Sequence, residues 1–508
     1  MARYGLFAYG EELYGVETAD HQLSWALEID WDGDGLWSGD NEALKMSKLR
    51  VRRGRSNMMR AEGDGLEAMK TGEFSATLDN QDGRFDPFNP SSPLFPNVVP
   101  GKKFRLRVKD NSTGTIYPVM TGRIKDIQPV NETYERVTIS GVEGLDDLQN
   151  VTVRTALQEN IDLEDALDLI LDGAGWGTGA SYRAIDATTD NLPYWWAAGE
   201  SARDEIEDLV WSAFGVFYIS ADGKATFVAR NSTRVAPEHD ISGADVRRGI
   251  ARPQPWEVVR NVVEIFVNSR QIQATATLWE LKTTPQVPAG GSLALYAPYT
   301  YNGEEVPAKN VQQPTPTTEF LMNTAADGSG TNLTASCTAT LTAYADIALI
   351  VITNNSASNG YITLLKFRGD PIASLPTVLV ADEDPASIAI YNRRRMVIDT
   401  TWQQQVNTAV DIRDLALSLF AEARSFPRLK LVGNPAKQFA PDLMDHLNLD
   451  FPTERITGVY QLAEIEHEWI EPTGNAVETR WRCEPFWGLS DNYWIFTTQI
   501  GIDSYFGF

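Results

Sequence analysis

Asp30, Asp32 and Asp34 alternate along one short stretch that ends in Gly35, and they are the residues best placed for chemistry. Alternate carboxylates present oxygens to a hard cation, and glycine permits the sharp turn that wraps them round it, as in the first half of a calcium loop. The second half is missing. The twelfth position, where a bidentate acid belongs, is Asn41, and Glu42 comes one residue late. No helix with an apolar stripe precedes the loop, so the same residues also read as an Asp/Gly turn without an ion. Calcium is the one cofactor this pattern admits.

Other reactive side chains form no constellation. The histidines His21, His239, His446 and His467 are dispersed. His467 alternates with Ile465 and Trp469, which points to a hydrogen-bonded imidazole in a strand core. His467-Glu468 lacks the second histidine of a zinc-protease helix, and neither a G-x-S-x-G elbow nor a P-loop occurs. Cys337 and Cys483 lie far apart, so neither a disulfide framework nor a metal knuckle organises the chain. Carboxylates are too plentiful for a pair of them to mark a cell-wall hydrolase. The expectation is a protein that is not an enzyme.

Charge narrows the partners. Among 508 residues, 44 Lys and Arg face 69 Asp and Glu, a net charge of −25. Tight nucleic-acid binding needs clustered cations and is not expected, whereas an acidic lining would keep a passing polyanion from sticking. Two basic clusters stand out, Arg50, Arg52, Arg53 and Arg55, and Arg393, Arg394 and Arg395. They read either as contacts to acidic surface on a neighbouring copy or as solvated strand charge. The C-terminal aromatics Phe486, Trp487, Tyr493, Trp494, Phe496, Tyr505, Phe506 and Phe508 are a second interface candidate, against packing over the last domain. Tyr296, Tyr299 and Tyr301 are candidates for stacking on a glycan.

The elements behind these residues are mostly strands. Residues 1–16 repeat Tyr-Gly every fifth position and read as an irregular arm. In 17–150, short alternating strands between Gly and Pro turns predict a barrel-like domain. Phe104, Leu106 and Val108 interleave there with Lys103, Arg105 and Arg107, while Pro87, Pro90, Pro93, Pro96 and Pro100 predict an extended polyproline-like excursion. Residues 151–250 predict a small α+β domain. One helix starts near Asp162 and another is capped by Ser201 and closed at Gly215, followed by an Asp222-Gly223 hairpin. Residues 281–375 contain a Thr- and Ala-rich stretch, Asn310 to Leu365, with no Lys or Arg, and predict an inserted β-sandwich-like domain. Ile347–Thr353 and Tyr361–Phe367 read as its hairpin. The flanks, 251–280 and 376–485, predict a second barrel-like domain with an associated helix, and 486–508 is the aromatic tail. The fold class is mainly β with α+β elements, in several domains. No stretch is long and apolar enough to span a membrane, and no signal peptide is expected at Met1.

Several blocks resemble one family. They are the arginines Val51 to Arg55, the run Thr77 to Gly101 (TLDNQDGRFDPFNPSSPLFPNVVPG) with the strand after it, and Asp30 to Gly35 upstream. Ile352 to Gly369, Ser387-Ile388-Ala389-Ile390-Tyr391 with Arg393, and the Ala/Leu-rich helix near 406–424 add to these. Together they resemble the central tail-tip or baseplate hub of phages with long non-contractile tails. Glycine is expected after the tyrosine of the Ser-Ile block; Asn392 stands there and tolerates the left-handed conformation almost as well. The resemblance implies a homotrimer whose two barrel domains per chain form a six-fold-like ring. Such a ring meets a hexameric distal tail ring above and a fibre or receptor-binding protein below. It closes the tube until the receptor is engaged, then opens for tape measure protein and DNA. The implied location is the virion tail tip, after assembly in the host cytoplasm. The alternative is a tail-tip adhesin that binds host glycan through the inserted domain.

Overall fold

A computed structural model describes residues 22–37, 41–55, 69–130, 135–232, 238–246, 249–471 and 474–485. The N-terminal Tyr-Gly arm and the C-terminal aromatic tail lie outside these residues. The chain is mainly β and multi-domain, as its patterning predicts.

Six strands carry the first domain: β1 (Leu23–Ile29), β2 (Met46–Gly54), β3 (Glu73–Asp79), β4 (Lys103–Asp110), β5 (Ile116–Val130) and β6 (Arg136–Glu143). They lie in the order β1-β4-β5-β6-β3-β2, and the inward rows are mostly apolar, as in Phe104, Leu106 and Val108 of β4. The curved sheet does not close on itself. The free edge of β2 pairs antiparallel with the strand Ile456–Trp469, so one eleven-stranded sheet passes from the first domain into the last.

The excursion between β3 and β4 differs from the expected extended path. Gly83, Asp86, Asn89, Ser92 and Phe95 each donate their N–H to the carbonyl three residues back. Pro87, Pro90 and Pro93 therefore sit second in successive turns, where their fixed φ is already correct. Local hydrogen bonding wins over the extended state, and the compact loop drives Phe85 and Val98 into the end of the first core.

In 151–250 the helices Leu163–Gly173 and Ala202–Ala213 form as predicted, and the Ser201 hydroxyl accepts from the N–H of Asp204. The second helix ends one residue earlier than expected. Phe214, not Gly215, takes the left-handed conformation at φ 57°, held there by burial of its ring in the core of the last domain. The hairpin Val216–Ile219 with Ala225–Val228 is as read from Asp222-Gly223.

The strand Val262–Val267 pairs with Val378–Glu383 and Arg395–Asp399 in a separate three-stranded sheet. That sheet, the helix Val406–Phe420 and the strands from His446 to Pro485 enclose one core. Val267 faces Val378 across the sheet, so the inserted unit leaves and returns side by side. Its strands begin at Arg270, because Arg270–Ile272 and Ala276–Glu280 pair with Gly360–Ser374, whereas the composition shift placed the boundary at 281. The expected hairpin inside the insert is corrected. Ile347–Asn354 pairs with Ser292–Pro298 and Cys337–Ala343, and Gly360–Ser374 lies in the other sheet. The link 355–359 is thus an arch between two layers, favoured because both strands are apolar enough to need the shared core. Asn392 has φ 60° at the end of the helix Pro385–Tyr391, a positive φ where glycine is expected, but its ψ of 176° lies outside the left-handed helical conformation.

Candidate functional site at the seam between two sheets

Strand β2 carries two kinds of arginine. Lys48, Arg50 and Arg52 face outward, while Leu49, Val51 and Arg53 face the core, and Arg55 continues that inner row. Opposite β2, the strand Ile456–Trp469 turns Glu464, Glu466 and Glu468 outward. The register sets Arg50 against Glu468 and Arg52 against Glu466. Arg50 Nε lies 2.7 Å from Glu466 and Arg52 Nε 2.6 Å from Glu464. Both guanidiniums are more than half exposed, at 61% and 53%, so water and salt screen these pairs and each contributes less than about 1 kcal/mol.

The inner row is different. Arg55, fully buried, donates from Nη2 to Glu484 at 2.6 Å, and Glu484 is equally enclosed. Arg53 donates to Asp442 and to the carbonyl of Ile219, both at 2.8 Å, with Glu143 3.8 Å away. The second oxygen of Asp442 accepts from the N–H of Ala221 at 2.9 Å. One guanidinium thus ties the first sheet, the α+β unit and the last domain together. Removing one partner alone would leave an uncompensated buried charge, so the pairs fix which segments meet at the seam.

Burial acts against every charge here. At Arg53, Asp442 and Glu143 outweigh it, and the guanidinium holds its proton more tightly than usual. At Arg55 burial outweighs Glu484, with Arg482 adding repulsion, and the pKa falls. Burial lifts the Glu143 carboxyl to about 7 against the pull of Arg53. Burial, then Arg53, pushes His467 down to about 3. His467 is therefore a neutral core imidazole, with Nδ1 2.9 Å from the Thr479 hydroxyl and its ring 4.9 Å from that of Phe439.

The arginine clusters divide: Arg50, Arg52, Arg393 and Arg395 are solvated charge at the surface, whereas Arg53 and Arg55 are buried. Arg50, Arg52, Arg53 and Arg55 pair with acids of their own chain. Arg393 pairs with Glu383, Arg395 lies 3.4 Å from Glu264, and Arg394 stacks 4.0 Å above the Trp256 ring. Partners distant in sequence are brought alongside by strand pairing, which the charge pattern alone does not specify. The candidates Trp487, Tyr493, Trp494, Phe496, Tyr505, Phe506 and Phe508 lie outside the described residues.

Asp30, Asp32 and Asp34 do converge, with ligand oxygens within 4.8 Å of one another. Asp30 accepts from the N–H groups of Gly33 and Gly35, and Asp34 from that of Leu36, so the carboxylates already brace a turn. Asn41 accepts from Leu27 and Ala43, and Glu42 binds Arg84, so neither completes a calcium loop. Of the three tyrosines, Tyr296 is 68% exposed, whereas Tyr299 is fully buried and donates its hydroxyl to the Tyr344 carbonyl. Tyr301 is half-buried. They do not form one exposed aromatic face, because Tyr296 lies on the open side of its strand and Tyr299 fills the core of the insert.

Asp442, Glu143 and Glu484 were not singled out from the sequence, since isolated acids carry no signal in so acidic a chain. The outward acids were legible: Glu464, Glu466 and Glu468 repeat at the same period of two as Lys48, Arg50 and Arg52.

No protein-family model and no curated protein matches the sequence. Among solved structures, the chain is similar in fold to the tail protein from Neisseria meningitidis MC58, at 10% identity and a TM-score of 0.49, over 92% of this chain and 97% of that one. It is similar to the 43 kDa tail protein of prophage MuSo2 from Shewanella oneidensis, at 10% identity and 0.46, over 90% and 97%. A prophage tail protein from Listeria monocytogenes EGD-e follows, at 8% identity and 0.43, over 90% and 94%. At these values the likeness is a loose one of fold.

Proposed function

We propose that this chain is the central hub of a phage tail tip, a structural protein that works by assembly rather than by chemistry. The observation that carries this reading is the continuous sheet across the seam. It makes the N-terminal and C-terminal segments one wall, locked by Arg53 and Arg55, whose outer face is polar and whose inner face is core. A part that holds a tube shut needs walls that do not come apart, and strand pairing across the seam supplies that, with the buried ion pairs fixing its register. In this reading two barrel-like domains per chain let three chains present six units to a hexameric ring. In this reading the trimer joins the distal tail ring to a fibre or receptor-binding protein. It also forms part of the ejection channel for tape measure protein and DNA in a siphophage virion.

Light scattering on the purified chain tests this first. The expected mass is three times that of the 56.4 kDa chain. A monomer at every concentration, or a position off the tail axis in averaged images of particles, would sink the proposal.

The turn at Asp30–Asp34 has a structural role in this reading and needs no ion. Titrating the protein with calcium in a calorimeter should give only heats of dilution. Micromolar binding that is lost in Asp32→Asn would restore the metal loop.

A further inference from the structure

Arg270 stands at the base of the inserted unit, where Arg270 pairs with Ser374, and it reaches across to the α+β unit and the last domain. Trp196 and Trp402 stand perpendicular to one another, at 89° and 4.9 Å between centroids. The guanidinium carbon of Arg270 lies in the corner they make, 4.6 Å from the first ring and 5.2 Å from the second. The two indole rings stabilise the cation through their π faces. They do nothing for its N–H groups, which lie in the guanidinium plane and need acceptors.

Those acceptors are missing. Among the described residues Arg270 has neither an ion pair nor a hydrogen bond, and its Nη1 is enclosed without a partner. Burial draws its pKa down to about 10, and no carboxylate offsets this. The indole N–H groups of Trp402 and of neighbouring Trp195, 4% and 0% exposed, are also enclosed without acceptors. The Gln404 side-chain oxygen, placed here by its amide's bond to the Tyr194 carbonyl and by the Ser269 hydroxyl on its main chain, is enclosed without a partner too, but it is neutral; what the guanidinium lacks among the described residues is a charged acceptor. A planar fork of this kind is matched best by a carboxylate, which takes two parallel N–H bonds.

We propose that Arg270, set in the corner of Trp196 and Trp402, receives a carboxylate from a second copy of this chain. The chain has 69 acids against 44 bases, yet none of the described ones reaches this arginine, so a neighbouring copy offers the missing group in surplus. The site is incomplete without that copy. The inference rests on the self-association proposed above and adds a specific residue to it.

Two variants and two readouts test it. Arg270→Met keeps the stacked stem and loses the charge; Arg270→Lys keeps the charge and loses the fork. Sedimentation equilibrium should show assembly weakened at least tenfold in Arg270→Met and by an intermediate factor in Arg270→Lys, with the thermal midpoint of the dissociated chain unchanged. Should Arg270→Met fail to fold, the Arg270→Lys comparison decides alone. Full-strength assembly in a folded variant overturns the inference and leaves the trimer reading intact. If the wild-type chain is monomeric at all concentrations, the trimer reading falls, and with it the second copy as donor. Titration with sodium glutarate, read by tryptophan fluorescence, then separates the two. A change seen in wild type and absent in Arg270→Met keeps the carboxylate receptor with another protein as donor, and no change overturns the receptor as well.

Discussion

Replacing Arg55 by methionine should cost the fold about 3 kcal/mol, near the low end of what removing one partner of a buried ion pair costs. Methionine fills much of the same volume, so the loss measures charge rather than a cavity. Glu484 would remain enclosed with only Arg482, 3.5 Å away, as a poorer partner. Adding Glu484→Leu to Arg55→Met should recover most of the loss, because an apolar pair of similar volume leaves nothing to desolvate. Arg50→Ala and Arg52→Ala, on the exposed side of the same strand, should each cost less than about 1 kcal/mol. Urea unfolding read by tryptophan fluorescence checks all four, since Trp481 lies opposite Ile465 on the neighbouring strand. If Arg55→Met matched the exposed variants, the buried pair would not be what holds the seam.

The second large effect is a dependence of stability on pH through Glu143. Its folded pKa, about 7, lies above the value of about 4.3 expected in an unfolded chain. Below pH 4 the carboxyl is protonated in both states, and its contribution to stability is fully present. As pH rises from there to 7 the unfolded chain releases a proton that the folded chain retains, and that contribution is lost. Above 7 the effect levels off, at a few kcal/mol in total. The groups facing Glu143 are Arg53, Asp442 and Arg203, of which the two arginines resist the shift and Asp442 adds to it. His467 runs the other way. Its folded pKa of about 3 lies below the unfolded value near 6.5, so its contribution is present above 6.5 and lost as pH falls toward 3. Glu143→Gln should therefore flatten the decline of stability between pH 5 and 7, by up to about 1.4 kcal/mol per pH unit. Equal slopes for variant and wild type would show that Glu143 titrates as an exposed acid does.

These two effects mark where the sequence was informative and where it was not. Strand β4, the hairpin at Asp222-Gly223 and the cap at Ser201 were legible because each depends on neighbours within a few residues. His467 was also legible as a core residue, since alternation with Ile465 and Trp469 assigns its face without reference to anything distant. The turns from Gly83 to Phe95 were misread although they are local, because prolines three apart suit both an extended path and serial turns.

Taken alone, the sequence determined which residues alternate in β4 and around His467, and where the hairpin at Asp222-Gly223 and the cap at Ser201 lie. Only tertiary structure decided that β2 lies beside Ile456–Trp469, and hence that Arg53 meets Asp442 and Arg55 meets Glu484 across more than 380 positions. It also decided that Ile347–Asn354 and Gly360–Ser374 part into two sheets and that Tyr299 turns inward. The physical reason is common to all of these. Periodicity reports which side of an element is apolar, but the partner of a buried charge or a strand edge is set by which distant segment best satisfies its hydrogen bonds and excludes its water.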